Sequence, residues 1–189
     1  MSEIMLDIET LSTSPNSLIL TIGAIKFFRN QEIKDIKDMD TFYVRINQES
    51  CTKLNMEISK DTLEWWNSQS EESRFEAFIC KDRINIKDAL IKLSRFVKNS
   101  KCIWAHSPNF DCIILENAYR LCGIEIPWKF YNLRDTRTLY DLGNVTLENI
   151  DTNKHHSLYD CHNQIITLKR AFKNYLRITH FRNFYATII

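Results

Sequence analysis

Glycine and proline are both scarce in this chain, three of each among 189 residues. With glycine only at 23, 123 and 143, there is no glycine-rich loop to cradle a phosphate. No Pro/Gly-rich linker, repeat or low-complexity tract divides the sequence, so one domain over residues 1–189 is expected, long enough to bury a core. Metal- or redox-type cysteine spacing is missing too. The six cysteines (51, 80, 102, 112, 122 and 161) include no C-x-x-C pair. Cys102, Cys112 and Cys122 lie in or beside apolar segments, which favours buried free thiols over a disulfide framework or zinc site. No apolar run reaches membrane-spanning length, and the first residues lack a basic-then-apolar leader pattern. A cytoplasmic protein with no membrane association is the expectation.

Strong net charge is absent as well, the formal value being +1 at pH 7. That value hides an asymmetry. No Asp or Glu follows Asp160, so residues 161–189 carry +5 and residues 1–160 carry −4. The basic end interleaves Lys169, Arg170, Lys173, Arg177 and Arg182 with Phe172, Tyr175, Phe181, Phe184 and Tyr185. Such a mixture suits contact with nucleic acid backbones and bases. It also suits an amphipathic closing helix whose aromatics fill the core, and this is the expectation for most of those rings. Scarce glycine with abundant Ile, Asn and Lys is the composition of an AT-rich genome, viral ones included.

What is present reads as a layered α/β chain. Residues 3–9, 18–28 and 41–46 have strand character at short spacing, most simply an antiparallel meander, with a turn around Pro15-Asn16. Helical patterns follow. Ser59 suits an N-cap for the stretch after it. Residues 85–98 set Ile86, Ala89, Leu90, Leu93, Phe96 and Val97 on one stripe. A short strand at 101–105 leads to a helix from Phe110 to Leu121, closed by Gly123. A helix near 135–142 and a last one starting around 156–158 complete the pattern. Strands first, then alternating helices and strands, imply a mixed central sheet flanked by helices.

Chemistry-bearing residues form three acidic islands. In LDIET, Asp7 and Glu9 sit two apart on a strand and so point the same way. Side by side they repel, and burial sharpens the repulsion unless basic neighbours, solvent or a cation offset it. In WAHSPNFD, Asp111 opens a helix just after a strand, where a first-turn acid is also favoured by the helix dipole. In HHSLYD, His155 stands five residues before Asp160. Each island alone has an ordinary surface reading. Together they bring four carboxylates and a histidine to the same kind of place. Oxygen-only ligand sets suit Mg²⁺ or Mn²⁺, and two such ions about 3.5–4 Å apart are what a two-metal phosphodiester hydrolase uses.

The order LDIET, then W-x-x-x-x-x-F-D, then H-x-[AS]-x-x-D resembles the motif set of the DEDDh 3′–5′ exonucleases, a family with an RNase H-like fold. The resemblance runs essentially the whole length. It is nearest the branch of phage DexA-type exonucleases, the exonuclease VIII-like group and a mycobacterial exoribonuclease, through MLDIETLSTSPNSLILTIGAI, Leu63-Glu64-Trp65-Trp66 with Gln69, FDCIILENAYRLCGIEIPW and RDTRTL. It implies a 3′–5′ exonuclease acting on single-stranded DNA or RNA 3′ ends with two divalent cations, Mg²⁺ or Mn²⁺. Asp7 is then the bridging ligand, Glu9 and Asp160 complete the first ion's site, Asp111 helps hold the second, and His155 is the general base, with His156 a rival. Substrate contacts implied are Thr10, Leu11, His106, Asn109, Phe110, Trp66 and Arg134. Phe110 serves equally as core. Of Trp65 and Trp66, one is expected in the core and the other at the cleft, and Arg134 and Arg137 have salt-bridge alternatives. Two departures stand out: Ser157 where alanine is usual, and His106 where the branch often has Asn. A nuclease of very short or cyclic oligonucleotides, and a non-catalytic nucleic-acid-binding module, are the competing functions. A homodimer is left open, with FRNFYATII as a partner surface.

Overall fold

In the computed structural model the described residues are 1–148 and 155–186, with side chains described as far as Ile178. The strands are β1 (Glu3–Thr10), β2 (Ile19–Phe27), β3 (Asp40–Ile46), β4 (Arg83–Ile84), β5 (Ile103–Ala105) and β6 (Leu133–Asp135). They form one sheet in the order β4-β3-β2-β1-β5-β6. β1, β2 and β3 make the antiparallel meander, and β5 and β6 continue it in parallel from β1. The helices among the described residues are α1 (Gln48–Thr52), α2 (Lys60–Asn67), α3 (Glu71–Arg74), α4 (Ile86–Val97), α5 (Asp111–Leu121), α6 (Thr136–Leu142) and α7 (Ser157–Ala186). None of them is long and apolar enough to cross a membrane.

The alternation of β1 decides what each face of the sheet holds. Ile4, Leu6 and Ile8 enter one apolar cluster with Leu90 and Leu93 of α4 and Leu115 and Ala118 of α5. Met5 enters a second cluster with Cys161, Ile165 and Leu168 of α7. Both faces of this central strand are covered, as is usual for a sheet with parallel pairs. Asp7 and Glu9 share the parity of Met5, so they project toward α7.

The start of α7 is pressed onto the sheet at one residue. Gly23 of β2 lies opposite Asp7 in the ladder. A β-carbon there would meet the Ser157 carbonyl carbon at 2.4 Å and the Leu158 nitrogen at 2.6 Å. Only glycine allows this approach. Ser157 is fully buried, and its hydroxyl pairs with Thr21 Oγ1 at 3.0 Å, which accounts for a hydroxyl where the family pattern has alanine. Cys161 Sγ then rests against the Met5 and Gly23 carbonyls at 3.6 and 3.5 Å. These contacts fix the rotation of α7 and aim Asp160 back over β1.

Local signals set the remaining boundaries. Ser59 Oγ caps α2 by accepting from the Thr62 amide, and Asn85 caps α4. Helix α5 ends in a Schellman motif: Gly123, at φ 65°, donates to Arg120 and Ile124 donates to Tyr119. The sequence reading contains no α1, α3, β4 or β6, nor the π-helical turn Phe75–Ile79. These pieces run two to five residues, too short for periodicity to register. All six cysteines are free, Cys122 only partly buried. Of the last helix's aromatics with described side chains, Phe172 packs edge-on to Trp104 at 5.8 Å, whereas Tyr175 is exposed; Phe181, Phe184 and Tyr185 lie outside the described side chains. The segment FRNFYATII lies outside the described side chains.

Candidate active site

Three acids meet where β1 passes under α7. Ligand atoms of Asp7, Glu9 and Asp160 lie within 4.8 Å of one another. Glu3, on the same face of β1, shows what a purely structural acid looks like here. It is 3% exposed, paired with Arg29 at 2.9 and 3.2 Å and bonded by Trp104 Nε1 at 2.7 Å. Among the described residues, Asp7 and Glu9 have no such cation. Burial pushes the Asp7 carboxyl well above its usual range, and Asp111, Asp160 and Glu9 push it further, with only the Gln164 amide opposing them. Burial followed by Asp160 and Asp111 does the same to Glu9. Packing four acids this close together suits a place built for cations.

Asp111 completes the set from another direction. The end of β5 and a short turn deliver it to the first position of α5, where it is 4% exposed. Its Oδ1 accepts from the Ile8 amide at 3.2 Å, which ties the start of α5 to β1 between the two other acids. Burial raises its pKa to about 7, against the pull of the Ile8 amide, its own amide and Arg137. It stands beyond the tight triad, on the second wall of a cavity of about 360 Å³ lined by all four acids, His106, Phe110, His155 and Gln164.

The two histidines part company. His155 lines this cavity and its neighbour, at φ 60°, a left-handed conformation in which His is enriched. Its ring stands edge-on to Trp65 at 4.7 Å. His156 points away, stacked on Tyr43 at 4.4 Å and edge-on to Tyr159. Its Nε2 lies 3.8 Å from Glu76, whose carboxyl also takes Arg45 and the Tyr43 hydroxyl. Burial holds the His156 pKa below its ordinary value, with Glu76 opposing.

A second cavity, about 640 Å³, opens beside the first and shares Ile8, Glu9, Phe110 and His155 with it. Thr10 lines it, its hydroxyl on the Ser12 carbonyl and its own carbonyl taking Trp66 Nε1 at 2.9 Å. Phe110 lines both cavities, half-buried. Of the two tryptophans, Trp65 faces the cleft and Trp66, 1% exposed, is core; the expectation for Trp66 is corrected, because its indole N–H reaches the buried Thr10 carbonyl only from the inner face. Leu11 is likewise core at 2% and lines neither cavity. Arg134 turns back onto the Tyr131 and Leu133 carbonyls, and Arg137 faces the cleft in its place. Asn109 is exposed in the turn before α5, outside both cavities. His106 lines the acid cavity with Nδ1 on Thr136 Oγ1 at 2.9 Å, and burial lowers its pKa. The sequence reading did not include Gln164. Its spacing four residues after Asp160, on the same helical face, was the available signal.

Solved structures that superpose on this fold include nucleases. The zinc-bound form of the E. coli exonuclease I–ssDNA complex superposes with a TM-score of 0.65 at 15% identity, over 95% of this chain and 42% of that one. The chain thus spans less than half the length of that enzyme. The nuclease domain of 3′hExo, a DEDDh family member bound to rAMP, superposes with a TM-score of 0.58 at 13% identity, over 92% of each chain. An RNase H-like mixed sheet with this acid set defines a 3′–5′ exonuclease of the DEDDh type. Residues 2–172 match the family described as the 3′-5′ exoribonuclease Rv2179c-like domain, and the chain belongs to that family. It is also 24% identical to an exodeoxyribonuclease of Enterobacteria phage T4, over 92% of this chain and 90% of that protein.

Proposed function

We propose that the chain, as one domain over residues 1–189, removes nucleotides stepwise from the 3′ ends of single-stranded nucleic acid and releases nucleoside 5′-monophosphates. The observation that carries this reading is the convergence of four acids on one cavity: Asp7, Glu9 and Asp160 within 4.8 Å of one another, and Asp111 in the same lining. The donor set fits two Mg²⁺ or Mn²⁺ ions, being all carboxylate oxygen. Asp7 would serve both ions, Glu9 and Asp160 one of them and Asp111 the other, and the chemistry supplied there would be a lowered pKa for a water and offset charge on the phosphate.

His155 takes the proton of the attacking water as general base. It lines both cavities, so it reaches the acid cluster from the side on which the terminal nucleotide enters. The larger cavity receives that nucleotide, with Phe110 and Trp65 offering ring faces or edges to the base and Arg137 a positive charge to the backbone. The E. coli exonuclease I structure holds ssDNA and the 3′hExo domain holds rAMP, which supports a nucleic-acid substrate. The family description names RNA and the T4 relative's name DNA, so both sugars belong in the test.

Matched 5′-labelled DNA and RNA oligonucleotides, with Mn²⁺ or Mg²⁺, should each be assayed against the wild-type chain and Asp7→Asn. A ladder shortening from the 3′ end, with 5′-monophosphates as product, is expected for at least one sugar, and none with Asp7→Asn. Intact single strands with rapid cleavage of dinucleotides would select the short-substrate reading instead. Binding without cleavage would select the non-catalytic module.

A further inference from the structure

Gln164 lies one helical turn beyond Asp160 on α7 and is 3% exposed. Its Nε2 donates to Asp7 Oδ1 at 2.8 Å. Among the described residues, the other side chains acting on Asp7 are carboxylates, and this amide is the favourable partner of the central acid. An amide that turns its N–H₂ to a carboxylate must turn its oxygen elsewhere. Here that oxygen, Oε1, is buried and has no hydrogen-bond partner among the described residues, while the residue itself lines the acid cavity. Buried polar atoms are nearly always satisfied, and an exception calls for a reason. Packing alone does not supply one, because Leu or Met would fill the same space and leave nothing unbonded.

The position of the amide is itself held. The Tyr140 hydroxyl donates to the Gln164 backbone carbonyl at 2.8 Å, and the Tyr140 ring packs against His106 with centroids 5.5 Å apart. One residue class beneath, Cys161 sits on the Met5 and Gly23 carbonyls. Gln164 therefore has a fixed backbone, a fixed donor contact and one open acceptor.

We propose that Gln164 is a positioning residue of the exonuclease reaction. Nε2 fixes the rotation of the Asp7 carboxylate so that its other oxygen is free for ligation, and Oε1 accepts from a water within the acid-lined cavity. The inference rests on the two-cation reading of the preceding section. Groups that touch a ligand rather than the metal orient it, and their loss weakens metal binding by roughly 10–100-fold.

The test is Mn²⁺ binding by calorimetry to metal-stripped wild type, Gln164→Met and Gln164→Asn. Met keeps the volume and removes both polar atoms; Asn keeps an amide but withdraws it by one methylene. We expect the Mn²⁺ Kd to rise about 10-fold or more in both, and the Mn²⁺ concentration for half-maximal activity to rise in step. A wild type that binds Mn²⁺ while both variants bind it equally well, even with lowered Tm, overturns the inference and leaves the two-cation reading standing. A wild type that binds no Mn²⁺ overturns both. Should Gln164→Met not fold, the Asn variant carries the same comparison.

Discussion

His155 turns its ring into the cleft from a left-handed backbone, while His156, one residue on, is wedged between Tyr43 and Tyr159 beside Glu76. Substituting each with alanine should therefore have different effects. His155→Ala removes a proton acceptor from a wall of the cavity, so kcat should fall by roughly 10²–10⁴-fold with Tm little changed. His156→Ala leaves a hole beside Tyr43 and removes a neighbour of Glu76. It should lower Tm while the folded fraction keeps its kcat within a few-fold. Because burial lowers the His156 pKa, its contribution to stability is present above the ordinary value near 6.5 and is lost as pH falls through the depressed one. The Tm difference between wild type and His156→Ala should accordingly narrow toward pH 5. Thermal melts and initial rates at pH 5.5, 7 and 8 check both statements. A kcat collapse in His156→Ala with His155→Ala near normal would move the base to His156.

Between elements, the decisive contact is the crossing of α7 over β2 at Gly23. Gly23→Ala would set a methyl 2.4–2.6 Å from the Ser157 and Leu158 backbone, which has to move. Overpacking of this kind costs about 1–3 kcal/mol, and a shift near 1 Å at reacting groups costs on the order of 10²-fold in rate. Gly143→Ala is the control. Its β-carbon would lie 2.6 Å from the Ala171 carbonyl, at the end of α6 and away from the acids. Both variants should lose stability, but only Gly23→Ala should lose kcat per folded molecule, and equal kcat in the two would argue against this crossing as the device that aims Asp160. The same elements explain what could be read from sequence. Three alternating strands, two amphipathic helices and a glycine-closed α5 repeat a period long enough to detect, so the acids' strand, junction and helix were legible. The choice between Trp65 and Trp66, or between Arg134 and Arg137, was not. Residues one or three apart on short elements differ by which neighbour packs on them, and that is decided by parts of the chain distant in sequence. For Gln164 the spacing from Asp160 marks only a shared helical face; its pairing with an aspartate 157 residues earlier is decided by packing.

Across the whole molecule, the net charge of +1 says little about where the charge is unbalanced. The fold gathers Asp7, Glu9, Asp111 and Asp160 in one buried place, and burial raises the pKa of Asp7, Glu9 and Asp111, with repulsion from neighbouring acids adding to it at Asp7 and Glu9. The sign follows directly. A carboxyl whose folded pKa is raised contributes stability that is present below its ordinary range and lost as pH rises through the raised value, which for Asp111 is about 7. His106 and His156 act in the opposite sense, since burial lowers theirs. The acids are isolated by comparing metal-stripped wild type with Asp111→Asn, which cannot ionise. From pH 5.5 to pH 8 the wild type should lose Tm relative to that variant. Mn²⁺ should reverse the loss at pH 8, because it binds the ionised acids that repel one another without it. A ligand at about 100 times its Kd adds about 2.7 kcal/mol to a fold, or roughly 5–10 °C for a chain of this size. The Mn²⁺-induced gain in Tm should thus be large at pH 8 and small at pH 5.5, where protons occupy the same oxygens. Scanning calorimetry at the two pH values, with and without Mn²⁺, decides it: an equal gain at both would mean that the cation does not bind at these acids.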